Sequence, residues 1–255
     1  MQGTDNKVET DKNAIQIGGF NFAIDVQKLT KTFGVYQALR GVDLKINYGD
    51  FLTILGPNGA GKTTFIKVLA TIMNPSSGRV SIDGLNLKEN AIKIRRRIGV
   101  VTHQTFLYNN LTAYENLEFF SRMYDVARHK ERILELFEMM GMTARIHERV
   151  ATLSRGLQQR LSIARALIHK PSIMLLDEPD TGLDQQAITT LWKILQSKDD
   201  EKLTVVLTTH NIERWLGMCN RLTILVRGKI AFDESSQNLN LEKLKHIYQE
   251  HTKAG

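Results

Sequence analysis

The stretch Phe51-Leu-Thr-Ile-Leu55 runs straight into Gly56-Pro-Asn-Gly-Ala-Gly-Lys-Thr-Thr64. Five apolar or β-branched residues in a row read as a strand buried on both faces. The nine that follow match G-x-x-x-x-G-K-[ST] between a strand and a helix, the context that makes this spacing a phosphate-binding loop. Glycine lets backbone N–H groups turn inward around phosphate oxygens, and the helix from Gly61 adds its positive N-terminal end. Gly56, Pro57, Asn58, Gly59, Ala60, Gly61, Lys62, Thr63 and Thr64 are therefore the candidate nucleotide-binding residues. Lys62 would reach the β- and γ-phosphates, and the Thr63 hydroxyl would ligate Mg²⁺. Average residue usage puts a chance match on the order of 1% for a chain of this length, so the motif outweighs an ordinary Gly-rich turn.

Working outward, four more short apolar runs occur: GVVT (99–102), IMLL (173–176), LTVVL (203–207) and LTILV (222–226). Helical patterns separate most of them, which implies a covered parallel sheet. Ligands of such sheets sit beyond the carboxyl ends of the strands. After IMLL come Asp177 and Glu178: Asp177 is placed to hold Mg²⁺, and Glu178 to polarise the attacking water. After LTVVL comes His210, a candidate γ-phosphate contact, and after GVVT comes Gln104, whose amide could meet Mg²⁺ or water.

A different pattern flanks this core. Phe22, Ile24 and Val26 alternate with polar residues, as do Val42, Leu44 and Ile46, and then Val80 and Ile82 before the Asp83-Gly84 turn signal. These predict an antiparallel β-layer. Between about 105 and 165 the strand signals stop. Thr112 and Glu115 form a capping box opening a helix with Leu117, Phe120 and Tyr124 on one face. Ile133, Leu136, Phe137 and Met140 mark a second helix ending near Gly141, and a third runs from about Ser154 to His169. Met139, Met140 and Met142 read as core filler.

Composition bounds the rest. The 255 residues are 42% hydrophobic and 24% charged, which excludes a disordered or fibrous chain. There are 34 Lys and Arg against 27 Asp and Glu, a formal net charge of +7. That suits an anionic partner, but Lys93, Arg95, Arg96 and Arg97 lack interleaved aromatics and read as a solvated face, so no nucleic-acid partner is expected. Cys219 is the only cysteine, which rules out an internal disulfide and a Cys-rich metal site and fits a reducing compartment. Residues 1–20 read as a flexible tail without the apolar segment of a signal peptide, and no run approaches transmembrane length.

The stretch LSRGLQQR at 153–160 joins these motifs to the TGLD at 181–184. Together, and in this order from about Val26 to Lys229, they resemble the ATP-binding cassette (ABC) ATPases. The resemblance implies an α/β fold: an ABC-type P-loop ATPase with a parallel core sheet, an antiparallel β-layer and an inserted helical subdomain. The expected division is a cassette over 21–233, its helical part at about 105–165, and a C-terminal helix over 234–255. It implies ATP and Mg²⁺ as cofactors, with Thr63, Gln104 and Asp177 at the metal and Glu178, His210 and Gln104 in catalysis. Phe33 in KTFG matches the aromatic that stacks on adenine, with Tyr36 as the substitute. Ser154, Arg155, Gly156 and Asp184 match residues that close over the ATP of another cassette. One motif set per chain implies a second cassette chain, a homodimer being simplest. The family pattern at 153–157 is L-S-G-G-Q, so Arg155 and Leu157 depart from it.

The stretch from Gly99 to Val126, with the 153–167 segment, looks most like exporter ATPases, and is similar to the haem-exporter ATPase of bacterial cytochrome c maturation. That resemblance implies a separate membrane permease, with this chain peripheral on the cytoplasmic face of the inner membrane. An exporter ATPase for drugs, lipids or polysaccharide is the near alternative. A soluble cassette of iron–sulfur assembly or nucleic-acid metabolism is the distant one.

Overall fold

The computed structural model describes residues 22–180, 183, 185–196 and 203–253. The expected tail over 1–20 and Asp184 lie outside them.

The FLTIL run is a strand, β3 (Phe51–Leu55), with every residue buried. It lies between two parallel neighbours, β8 (Thr204–Thr209) and β9 (Arg221–Val226). The sheet continues through β7 (Ile173–Asp177) to β6 (Ile98–Val101), all parallel, and ends at the other edge in β10 (Lys229–Ser235), antiparallel to β9. Alternate side chains along these strands feed two separate cores. Leu52, Ile54, Ile173, Leu175 and Val206 enter one; Phe51, Leu55, Met174, Leu176, Val205 and Leu207 enter the other. This period-2 division is why the strands read as unbroken apolar runs.

The first core is closed by a four-stranded antiparallel layer in the order β2-β1-β4-β5. It comprises β1 (Ile24–Phe33), β2 (Tyr36–Ile46), β4 (Ser77–Ile82) and the two-residue β5 (Leu85–Asn86). Ile24, Val26, Val42, Leu44, Ile46, Val80 and Ile82 are all buried, as their alternation predicts; Phe22 precedes the strand and is half-buried beneath Lys45. Helix α1 (Lys62–Leu69) packs between this layer and the main sheet, placing Phe65, Ile66, Val68 and Leu69 in the shared core. The short α2 (Ala91–Arg95) and the two residues after it hold the basic cluster, exposed, where Arg96 pairs with Asp125 and Arg97 with Asp83.

From Val101 to Ile173 the described chain holds helices and no named strand. Helix α3 (Ala113–Met123) opens with the Thr112–Glu115 capping box, both hydrogen bonds being formed. Helix α4 (His129–Met139) buries Ile133, Leu136 and Phe137. Helix α5 (Arg155–Leu167) starts on Ser154 and ends two residues short of the expected His169. Met140 and Met142 are buried as core filler, whereas Met139 is exposed on the outer side of its helix, a correction to the three-methionine reading. Helix α6 (Gln185–Leu195), the one-turn α7 (Ile212–Trp215) and α8 (Leu241–Lys253) complete the second core.

Candidate active site

The carboxyl ends of β3, β7 and β8 meet at one place, and each supplies chemistry there. The loop after β3 needs its glycines. Gly61 holds φ +106° and Gly59 φ +79°. A Cβ at Gly61 would lie 2.6 Å from the Ala38 carbonyl oxygen, so both conformation and space exclude a side chain. The loop is also tied from outside: Gly228 N donates to Ala60 O at 2.9 Å, and the Tyr36 hydroxyl donates to Gly59 O at 3.1 Å.

Lys62 folds back along the loop. Its Nζ donates to Gly56 O at 2.7 Å and Pro57 O at 3.2 Å, and only 6% of the side chain is exposed. Burial pushes its pKa down, opposed by the negative fields of Glu178 and Asp177. Asp177, buried at the end of β7, accepts from the Thr208 hydroxyl at 2.6 Å and from the Thr63 hydroxyl at 3.1 Å. Thr208 belongs to the site although the sequence reading assigned it no role. It stands opposite Asp177 in the parallel register, one residue before the end of β8.

Glu178 takes a left-handed conformation, φ +48°, and its N–H donates to Thr208 O at 3.0 Å. The turn sends its carboxylate away from that of Asp177. Glu178 Oε1 lies 3.2 Å from His210 Nδ1 and 4.0 Å from Lys62 Nζ. Two adjacent acids thus occupy two environments: one buried among hydroxyls, the other facing the open side with a histidine. Phe33 and Tyr36, paired across the β1–β2 hairpin, line the same cleft of about 240 Å³ with residues 58–64 and Glu178. Lys31 Nζ sits 5.2 Å from the centre of the Phe33 ring.

These residues fit Mg²⁺ and a nucleoside triphosphate. The cleft offers a hydroxyl and a carboxylate 3.1 Å apart, hard oxygen donors of the kind Mg²⁺ takes together with water and phosphate oxygens. Among the described residues no cluster of three His, Cys, Asp or Glu could hold a metal by protein ligands alone. Bound there, Mg²⁺ would supply positive charge to the phosphate oxygens.

Other expected site residues lie elsewhere in the chain. Gln104 lines a separate polar cavity of about 750 Å³ with His103, Phe106, Arg155, Gln158 and Gln159. Its backbone N–H is held by Thr102 Oγ1 at 3.1 Å. Ser154 caps α5 by accepting from Leu157 N at 3.4 Å. Ser154 and Arg155 are exposed, Gly156 is half-buried, and none of the three lines the Lys62 cleft. Leu157 packs against the second core, which accounts for an apolar residue there.

The fold and cleft define a P-loop nucleotide-hydrolysing domain. The ABC transporter family model matches residues 39–181, and the chain belongs to that family. It is 36% identical over 208 residues to the ABC transporter ATP-binding protein NatA of Bacillus subtilis, covering 80% of this chain and 85% of that one. It is 37% identical over 208 residues to the Nod factor export ATP-binding protein I of Burkholderia thailandensis, covering 81% and 68%. A third relative, the linearmycin resistance ATP-binding protein LnrL of B. subtilis, is 31% identical over 209 residues, covering 81% and 67%. Among solved structures, the dimeric ATP-binding cassette MJ0796 in a post-hydrolysis state with ADP and Pi superposes with a TM-score of 0.76 at 30% identity, covering 85% of this chain and all of that one. The chain is an ATPase that uses ATP with Mg²⁺. ATP-binding subunits of such transporters work with membrane permeases. Among the described residues no helix is long and apolar enough to cross a membrane.

Proposed function

We propose that this chain is the ATP-hydrolysing subunit of an exporter, acting as a homodimer on the cytoplasmic face of the inner membrane beneath a separate permease. One observation carries the reading: Lys62 and Glu178 line one cleft, with Asp177 bonded to its Thr63 and His210 beside its Glu178, while Ser154, Arg155 and Gly156 are presented elsewhere. A cleft that lacks the Ser154 end of α5 is completed by a second copy. In that arrangement Lys62 and the loop N–H groups bind the phosphates, and Phe33 stacks on adenine. Thr63 and Asp177 hold the metal, and Gln104 joins them when the two chains close. Glu178 takes a proton from the attacking water, and His210 orients the Glu178 carboxylate and meets the γ-phosphate. Ser154, Gly156 and Asp184 of each chain would act on the other's nucleotide, with the Arg155 side chain turned to the Gln104 cavity.

The permease is supported by an apolar groove of about 360 Å³ lined by Ile72, Phe106, Phe120, Tyr124, Arg165 and His169. Phe106 lines both this groove and the Gln104 cavity, so a permease segment seated here would touch the wall of the Gln104 loop. Arg165 lies between the Phe106 and Phe120 rings and donates to Val100 O at 2.6 Å. Haem export is the finer reading that the sequence resemblance suggested. No feature of the cleft selects haem, and relatives are named for linearmycin resistance and Nod factor export. The proposal therefore takes a drug, lipid or polysaccharide as cargo.

The test is Mg²⁺-dependent ATP hydrolysis by purified chain, together with affinity capture from detergent-solubilised membranes. Hydrolysis and a co-purifying multi-span protein are expected. A hydrolysing chain that captures only soluble proteins would overturn the transport reading.

A further inference from the structure

The only two tryptophans of the chain, Trp192 and Trp215, stack on each other with ring centres 5.4 Å apart and planes at 27°. Trp192 lies in the second half of α6. Trp215 ends α7, the single turn that follows His210, and is wholly buried. Both indole N–H groups are buried without an acceptor among the described residues. Indole normally finds one when buried, so what this pair contributes here is its ring faces.

Trp215 sits at the far end of the turn that leaves His210. At its start, Asn211 N donates to Thr209 Oγ1 at 3.0 Å. At its end, Met218 N and Cys219 N donate to Trp215 O at 3.1 and 3.3 Å. His210 itself is exposed, and the contact that orients its ring is the Glu178 carboxylate 3.2 Å away. Trp215 lies five residues after His210 and is buried in the same core as Leu191, Leu195 and Leu207.

We infer that the Trp192–Trp215 stack is a positioning device for His210, fixing its approach to Glu178 from α6 without touching nucleotide. The inference rests on the ATPase reading above. Two flat rings resist the small slides that a cluster of aliphatic side chains would allow, and a misplacement of about 1 Å at a reacting group can cost up to ~100-fold in rate.

The experiment compares Trp192→Leu, Trp192→Phe and the parent in steady-state hydrolysis, alone and in a His210→Ala background. Trp192→Leu is expected to lower kcat about tenfold with the KM for ATP within about twofold, and Trp192→Phe to stay within about threefold of the parent. In the His210→Ala background, Trp192→Leu should cost nothing further, because the residue it positions is gone. Should Trp192→Leu fail to fold, Trp192→Met carries the same expectation. Equal losses in both backgrounds, or an unchanged kcat in the parent background, would overturn the inference. A parent that hydrolyses no ATP would overturn the ATPase reading, and this inference with it.

Discussion

Replacing Lys62 by methionine removes the charge at the centre of the phosphate loop while keeping most of the stem. Nζ makes two hydrogen bonds to carbonyl oxygens, at 2.7 and 3.2 Å, and no other side-chain cation is within ion-pair distance of Glu178 apart from His210, when protonated, among the described residues. Bound phosphate would draw the ammonium into charge-assisted bonds. Hydrogen bonds to charged groups contribute about 1.5–3 kcal/mol, which converts to roughly ten- to a hundredfold in ATP affinity. The fold itself should change little. Burial is the leading force lowering the Lys62 pKa, so methionine relieves a desolvation cost as it loses two bonds. A net change within about 1 kcal/mol shifts Tm by roughly 2–4 °C in a chain of this size. The assay is thermal unfolding with and without ATP and Mg²⁺. At ATP equal to 100 times the parent's Kd, the parent gains about 2.7 kcal/mol, and a variant binding a hundredfold weaker gains about 0.4 kcal/mol. Equal ATP-induced shifts in parent and variant would refute the assignment of Lys62 to the phosphates.

Three further outcomes concern other parts of the chain. His169, packed on Tyr124 with Nε2 at 3.0 Å from Ile98 O, has its pKa lowered from 6.5 to about 4, chiefly by burial, partly offset by that bond. Between those values the unfolded chain binds the extra proton, so stability rises with pH across this window and falls as pH drops from 6.5 towards 4. The full effect is on the order of 3 kcal/mol, and His169→Gln should flatten this limb of a urea-unfolding series; an unaltered limb would count against it. Arg155→Gly should keep most ATPase activity, because Arg155 faces the Gln104 cavity, whereas Ser154→Arg should abolish it by placing a bulky side chain at the exposed start of α5, where the second chain must approach. Collapse of hydrolysis in Arg155→Gly with ATP binding intact would show that the arginine acts directly on phosphate.

The parallel strands were legible because burial on both faces leaves continuous apolar runs, and the antiparallel layer because Val42, Leu44 and Ile46 keep strict alternation. Strand β10 was not legible: at an edge, half-exposed, its KIAFDES pattern carries too few buried positions to show a period. Lys62, Thr63, Asp177 and Glu178 were legible as residues that lie together because each follows a strand at a fixed offset. Thr208 was missed because a threonine in a strand reads as β-branched filler until the register sets it against Asp177. The single chain also separates Gln104 and the Ser154 helix from the Lys62 cleft, an arrangement that spacing in one sequence does not show. The Trp192–Trp215 stack arises from packing between helices that have no common periodicity, and only the fold reveals it.

The central claim is that two copies of this chain make each complete site, and Glu178→Gln tests it most directly. The amide keeps the side chain's shape and loses the basic oxygen, so ATP should bind while hydrolysis falls about 10²–10⁴-fold. Light scattering on that variant should give a monomer mass without nucleotide and twice that mass with ATP and Mg²⁺. A monomer mass in both conditions, with ATP bound at full occupancy, would contradict the account.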